Sequence, residues 1–195
     1  MHKSKNNKQR LLFIVAGVIF VLLLTIATAF ALAHRARAEA ERYLGVIVPL
    51  HIGSTYDDTV AQLHNANIPA TCLPSAPRNE CAIELQFSND LQAMLHLAPP
   101  IGFLGDLHFV DGKLVHKGTS LGWVERVAVT EDTSAPSMVS VHQNKIWVAL
   151  SPSDFTEYRK KAYSFNLMCI GALKACTLEE LLPTINDLEH SPSTK

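Results

Sequence analysis

The 195-residue sequence predicts an α+β protein: an N-terminal transmembrane helix followed by a small antiparallel sheet with packed helices. Three observations predict it. Leu11 to Ala33 is a run of 23 residues without a charge, bracketed by Arg10 and by His34-Arg35-Ala36-Arg37. Beyond it, short stretches alternate apolar and polar residues with the period of a half-buried strand, separated by turn residues. Between those stretches lie segments with cap residues and apolar spacings of three and four, the pattern of helices that pack on a sheet.

The apolar run, as a helix, is about 34 Å long, enough to cross a hydrocarbon core of about 30 Å. A removable secretory signal has a shorter apolar region of about 7–15 residues. Length therefore favours an uncleaved anchor, while Ala29-Phe30-Ala31 and Ala31-Leu32-Ala33 both have the form of a cleavage site that would release a secreted domain. The tail carries Lys3, Lys5, Lys8 and Arg10 and no acid, which places it in the cytoplasm and the bulk of the chain outside. The organisation expected is a basic tail over 1–10, the anchor over 11–33, a helical stalk over 34–45, an extracytoplasmic domain over 46–188 and a disordered tail over 189–195. The lipid bilayer is then the partner of residues 11–33, in a single-pass protein of the cytoplasmic (inner) membrane.

After the stalk, Thr55 is placed as an N-cap with Asp58 three residues on and Val60 and Leu63 on one face, and Pro69 lies just past the helix. Asp57 and Asp58 complement the helix dipole rather than form a catalytic pair. Cys81 to Phe87 alternates as a strand, with Cys81, Ile83, Leu85 and Phe87 on one face. Asn89 then caps a short helix carrying Leu91, Met94 and Leu95, stopped by Pro99-Pro100. Leu107 to Val110, Asp111-Gly112 and Lys113 to His116 read as a hairpin with a two-residue turn. A third strand is expected over Val124 to Thr130, and a second hairpin joins Met138–His142 to Ile146–Leu150. A helix opening at Ser151-Pro152 carries Phe155, Tyr158, Ala162, Phe165 and Cys169, and Thr177 with Glu180 forms a capping box for the last one.

Composition narrows the function. All 18 acidic residues lie beyond Ala33 with 13 of the 17 basic ones, so the domain carries an excess of about five negative charges and lacks the basic stripe of a nucleic-acid binder. The four cysteines, Cys72, Cys81, Cys169 and Cys176, all fall in the exported part, and local pairing 72–81 and 169–176 is the expected connectivity among three. Seven residues along one continuous helix are about 10 Å apart, beyond the roughly 7 Å limit of a disulfide, so the second pair requires a bend, with Gly171 the obvious place. Reduced, buried cysteines in a cytoplasmic domain are the alternative.

Gly118-Thr-Ser120-Leu-Gly122 matches the G-x-S-x-G elbow of serine hydrolases, which needs a strand turning sharply into a helix. The segment from Trp123 onward is strand-like instead, so a glycine-rich loop between two strands is the simpler reading. Triad partners in chain order would be Asp132 or Asp154 and then His190, in the polar tail. Nine histidines occur without zinc-ligand spacing. With a two-residue turn at Asp111-Gly112, His108 faces Val115 and His116 faces Leu107, on opposite sides of the ribbon. Cysteine spacings of nine and seven do not match a Cys-x-x-Cys redox site. Trp123 and Trp147 are read as core or sheet-face residues, with an exposed aromatic binding surface as the alternative. No cofactor and no metal are expected.

Leu50-His-Ile-Gly53-Ser-Thr55-Tyr-Asp-Asp58-Thr-Val60-Ala-Gln-Leu63 resembles the opening of the small SmpA/OmlA (BamE-like) envelope domains, in which a glycine and a threonine precede a helix packed on a sheet. The valine stands one position late, and the Gly-x-Pro that closes the helix in that family and a lipobox cysteine are missing. The chain is also similar overall to uncharacterised bacterial single-pass membrane proteins. The function expected is a membrane-anchored, non-enzymatic binding or assembly module that meets an envelope protein partner. A serine hydrolase using Ser120 is the alternative, and a redox or metal-handling protein the third.

Overall fold

The computed structural model describes residues 3–70, 72–73 and 80–189, with the backbone alone for 3–7, 72–73 and 80–81. Helix α1, Lys3–Ile47, runs 45 residues without a break. Its apolar part is long and apolar enough to cross a membrane. Beyond that part the helix becomes a core element. Ala29, Ala33, Ala36, Ala40, Tyr43 and Ile47 are all buried, at alternating spacings of four and three that keep them on one seam. Residues 34–45 are helical, as a stalk would be, but one face of them lies in the hydrophobic core.

Seven strands form one sheet in the order β1-β2-β3-β4-β5-β7-β6. They are β1 Cys72–Leu73, β2 Glu80–Ser88, β3 Gly102–Val110, β4 Lys113–Gly122, β5 Arg126–Asp132, β6 Met138–Val141 and β7 Lys145–Leu150. The sheet is antiparallel except where β7 inserts beside β5 in parallel. Asp132 makes this possible: its carboxylate accepts from the backbone N–H and hydroxyl of Ser134, turning the chain over the slot that β7 fills. Both expected hairpins form on two-residue turns with positive φ, Asp111-Gly112 and Gln143-Asn144.

The helices gather on one face of this sheet. Helix α2, Tyr56–Asn65, is capped by Thr55, whose hydroxyl accepts from the Asp58 N–H, and it buries Leu63. Helix α3, Asp90–Met94, packs against α1. Helix α4, Thr156–Ala162, is shorter than the spacing predicts. It ends at Tyr163, and Cys169 belongs to a separate 3-10 turn, Leu167–Cys169. The break has two local causes. Asn166 accepts from the Met168 N–H and so starts the new turn, and its own N–H is drawn away to the Leu181 carbonyl. Helices α5, Leu178–Leu181, and α6, Ile185–Glu189, close the domain, α5 with the expected capping box. Cys169 and Cys176 form a disulfide with Cα atoms 5.9 Å apart, and Gly171 supplies the bend at φ +82°. The side chains of Cys72 and Cys81, and so their pairing, lie outside the described part of the structure, as does the tail from residue 190; Glu189, expected in that tail, is the last residue of α6.

Two further expectations change. Gly118–Gly122 is not a loop but the second half of β4, held by pairing to β3 on one side and β5 on the other. The turn comes at Trp123–Glu125, where Gly122 adopts φ +108° and a Cβ would collide with the Glu125 carbonyl. In α3 the apolar residues Met94 and Leu95 face outward while Gln92 is buried. Asn89, expected as its cap, instead bridges the loop, donating to the Pro99 carbonyl and accepting from the Ile101 N–H.

Candidate functional site

With the helices on one side, alternate residues of the central strands point to a sheet face that no helix among the described residues covers. Two neighbouring dipeptides divide their charges between the faces. In β4, His116 points to the open face and Lys117 to the helices; in β5, Asp132 and Glu131 do the same, and the strands pair His116 with Asp132 and Lys117 with Glu131. Each face thus receives one ion pair from adjacent positions.

On the open face, His116 Nε2 lies 3.0 Å from Asp106 and Nδ1 lies 3.5 Å from Asp132. The hydrogen bond to Asp106 is the largest reason its pKa is raised above the ordinary histidine value; desolvation opposes it and both carboxylates assist. Asp132 is held below the ordinary range first by its bonds to Ser134 and then by His116. His108 completes the cluster, its ring 5.6 Å from that of His116. Two-residue turn geometry alone would separate these histidines. A β-bulge at Val115 restores them to one face, because it adds one residue to β4 between the pairs Phe109–Leu114 and His108–His116. No spacing rule in the sequence marks that bulge. Together the four side chains, two carboxylates and two imidazoles, form a shallow depression suited to binding a cationic or hydrogen-bonding group. Among the described residues no group of three or more His, Cys, Asp or Glu is arranged to hold a metal.

Along the same face a strip of apolar and small residues crosses the sheet: Leu104, Ser120, Ala128 and Trp147 in one row, with Met138 at the edge in the next. Trp147 is 41% exposed and Met138 50%. Ser120 lies inside this strip, buried, paired with Leu104 and Ala128. The strand-to-helix turn of a nucleophile elbow is not formed there. His116 stands four residues away along the strand, about 13 Å at strand rise. Asp154, the other triad candidate, is spent on Ser137 and the Ser151 N–H.

Beneath the open face lies a network the sequence did not reveal. Lys117, fully buried, pairs with Glu131 at 3.0 Å, and Arg159 of α4 reaches the second carboxylate oxygen at 2.9 Å. Lys117 Nζ also donates to the carbonyls of Ile47 and Leu50, at 3.1 and 2.6 Å. The last carbonyls of a helix lack intrahelical partners and carry its negative pole, and α1 has no basic residue of its own in the last turn. Lys117 supplies it from the sheet. Desolvation lowers the pKa of this lysine against the opposing pull of Glu131. The hydroxyl of Tyr163 lies in the same pocket, and burial first, then Glu131, pushes its pKa well up. The arrangement locks the end of α1 to the middle of the sheet. With no exposed atom on Lys117, it offers a substrate nothing.

No protein-family model matches the chain, and no curated protein and no solved structure matches it either.

Proposed function

We propose that this protein is a membrane-anchored, non-enzymatic binding or assembly module of the cell envelope. Residues 11–33 hold it in the cytoplasmic membrane, its domain lies outside, and the open sheet face meets a protein partner. The observation that carries the reading is that face itself. A seven-stranded sheet covered by helices on one side leaves Trp147 and Met138 exposed, with Leu104 half-buried in the same face, beside the Asp106–His116–Asp132 depression. Exposed apolar surface rimmed by polar groups marks an interaction site, with tryptophan among the residues enriched in such sites. The Cys169–Cys176 disulfide supports an oxidising compartment. The resemblance of residues 50–63 to BamE-like domains fits the same role.

Two measurements in cells test this. A membrane-impermeant thiol reagent should label Cys169 and Cys176 from outside only after reduction; labelling that needs opened cells and no reductant refutes the orientation. A photo-crosslinking phenylalanine derivative in place of Trp147 should capture a discrete protein adduct, while the same probe at Glu157, on the helical side, should not. Equal or absent adducts at both positions refute the docking face.

A further inference from the structure

The register between α1 and the domain has a consequence for the membrane. Ala29 and Ala33 belong to the apolar run, yet both are buried at 1% exposure by the folded domain. Ala29 lies six residues before Arg35, about 9 Å along the helix. The domain therefore reaches down the anchor past its first flanking charge. At that level α1 meets two elements. A Cβ on Gly171 would touch Ala33, Arg37 and Gln92 together, which brings the disulfide loop and α3 against each other and against the helix. Arg37 donates to the Ile170 carbonyl and fixes the loop there.

What these elements show to their surroundings is apolar. Met94 and Leu95 of α3 and Met168 and Leu173 of the disulfide loop are exposed, Met94 at 69% and Leu173 at 67%, while polar Gln92 is turned inward. A short helix with its amide buried and its methionine outside is reversed for a water-facing surface. The turn at Trp123-Val124 leaves the same end of the sheet and exposes both residues. Tryptophan is enriched at the membrane interface. Lys174 beside Leu173 places a positive charge where lipid headgroups would lie. The continuous helix, with its end clamped by Lys117, leaves no hinge that could lift the domain away.

We propose that the domain is seated directly on the bilayer, with α3 and the disulfide loop forming an apolar rim that inserts among the lipids around the emerging anchor. This rests on the reading of residues 11–33 as an anchor. The test is the full chain reconstituted into vesicles of phosphatidylethanolamine and phosphatidylglycerol, doped with a phospholipid carrying a diazirine near the glycerol end of one acyl chain. After irradiation, labelled residues are mapped by peptide mass spectrometry. Label is expected in 11–33, at Met94–Leu95 and at Met168–Leu173, and absent from Met138 and Phe155, exposed apolar residues at the opposite end of the sheet. The M94D/L173D double variant should lose the rim label and keep that of the anchor. Label confined to 11–33, or shared equally with Met138 and Phe155, overturns the rim alone. No label in 11–33 overturns the anchor reading and the rim with it.

Discussion

Glu131 is the residue on which most of the buried charge depends, since Lys117 and Arg159 both end on it. Removing one member of a buried ion group leaves an uncompensated charge and costs about 3–5 kcal/mol, whereas replacing the set together is often neutral. Glu131→Gln should therefore lower the unfolding free energy by that amount, read from denaturant titration. Adding Lys117→Met should recover part of the loss, although the Ile47 and Leu50 carbonyls then lack a partner; a double variant weaker than the single one would show that helix capping, not charge pairing, dominates. His116 responds to pH with a definite sign. Its pKa is raised in the folded state, chiefly by Asp106, so its contribution is fully present below the ordinary value near 6.5 and fades as pH rises through the raised one. The gap in thermal midpoint between the natural protein and His116→Ala should be wider at about pH 5.5 than at about pH 8.5. A gap independent of pH would mean that His116 acts by packing alone.

At the scale of elements, α1 is long and apolar enough to cross a membrane at one end and is a core helix at the other. Burying a side chain such as Tyr43 or Ile47 contributes about 1.5–3 kcal/mol, and the net stability of a domain is about 5–15 kcal/mol. Losing residues 29–47 removes two such side chains and four alanine contacts, comparable with the whole margin. Deleting residues 1–28 should leave a cooperatively melting domain, while deleting 1–47 should abolish the transition in circular dichroism. If the shorter fragment melts normally, the seam is dispensable and residues 34–45 act as a stalk after all. The hairpins, by contrast, stand on their own turn chemistry, which is why Asp111-Gly112 was readable locally. The bulge at Val115 was not. It depends on β5 leaving β4 at His116, where the backbone of Gly53 and Ser54 takes over and pairs with Leu114.

For the molecule as a whole, the Cys169–Cys176 bridge closes the loop that packs on α1 through Ile170 and Gly171. Closing a loop this short stabilises a fold by about 2–3 kcal/mol on the chain-entropy model. Reduction should lower the thermal midpoint by about 5–10 °C for a domain of this size. It should also loosen the contact of Gly171 with Ala33 and Arg37, read as faster amide exchange over residues 167–173. Unchanged exchange there would mean that the Arg37 contact alone holds the loop.

The amino-acid sequence by itself determined what is local or compositional: the apolar span, the α+β class, the Thr55 and Thr177 caps, the Asp111-Gly112 turn, the second hairpin and the 169–176 pairing with its bend at Gly171. Apart from the span and the class, each rests on residues close together along the chain. Only the tertiary structure decided the rest. That Gly118–Gly122 is strand comes from two flanking partners, and the place of Ser120 in a sheet row comes from the same pairing. The outward face of α3 is set by α1 occupying its other side. Nothing in the sequence marked Lys117 as buried, because its partners Ile47, Leu50 and Glu131 are distant along the chain. The candidate face was hidden for the same reason. A sheet shows which of its sides is open only once every helix has been placed.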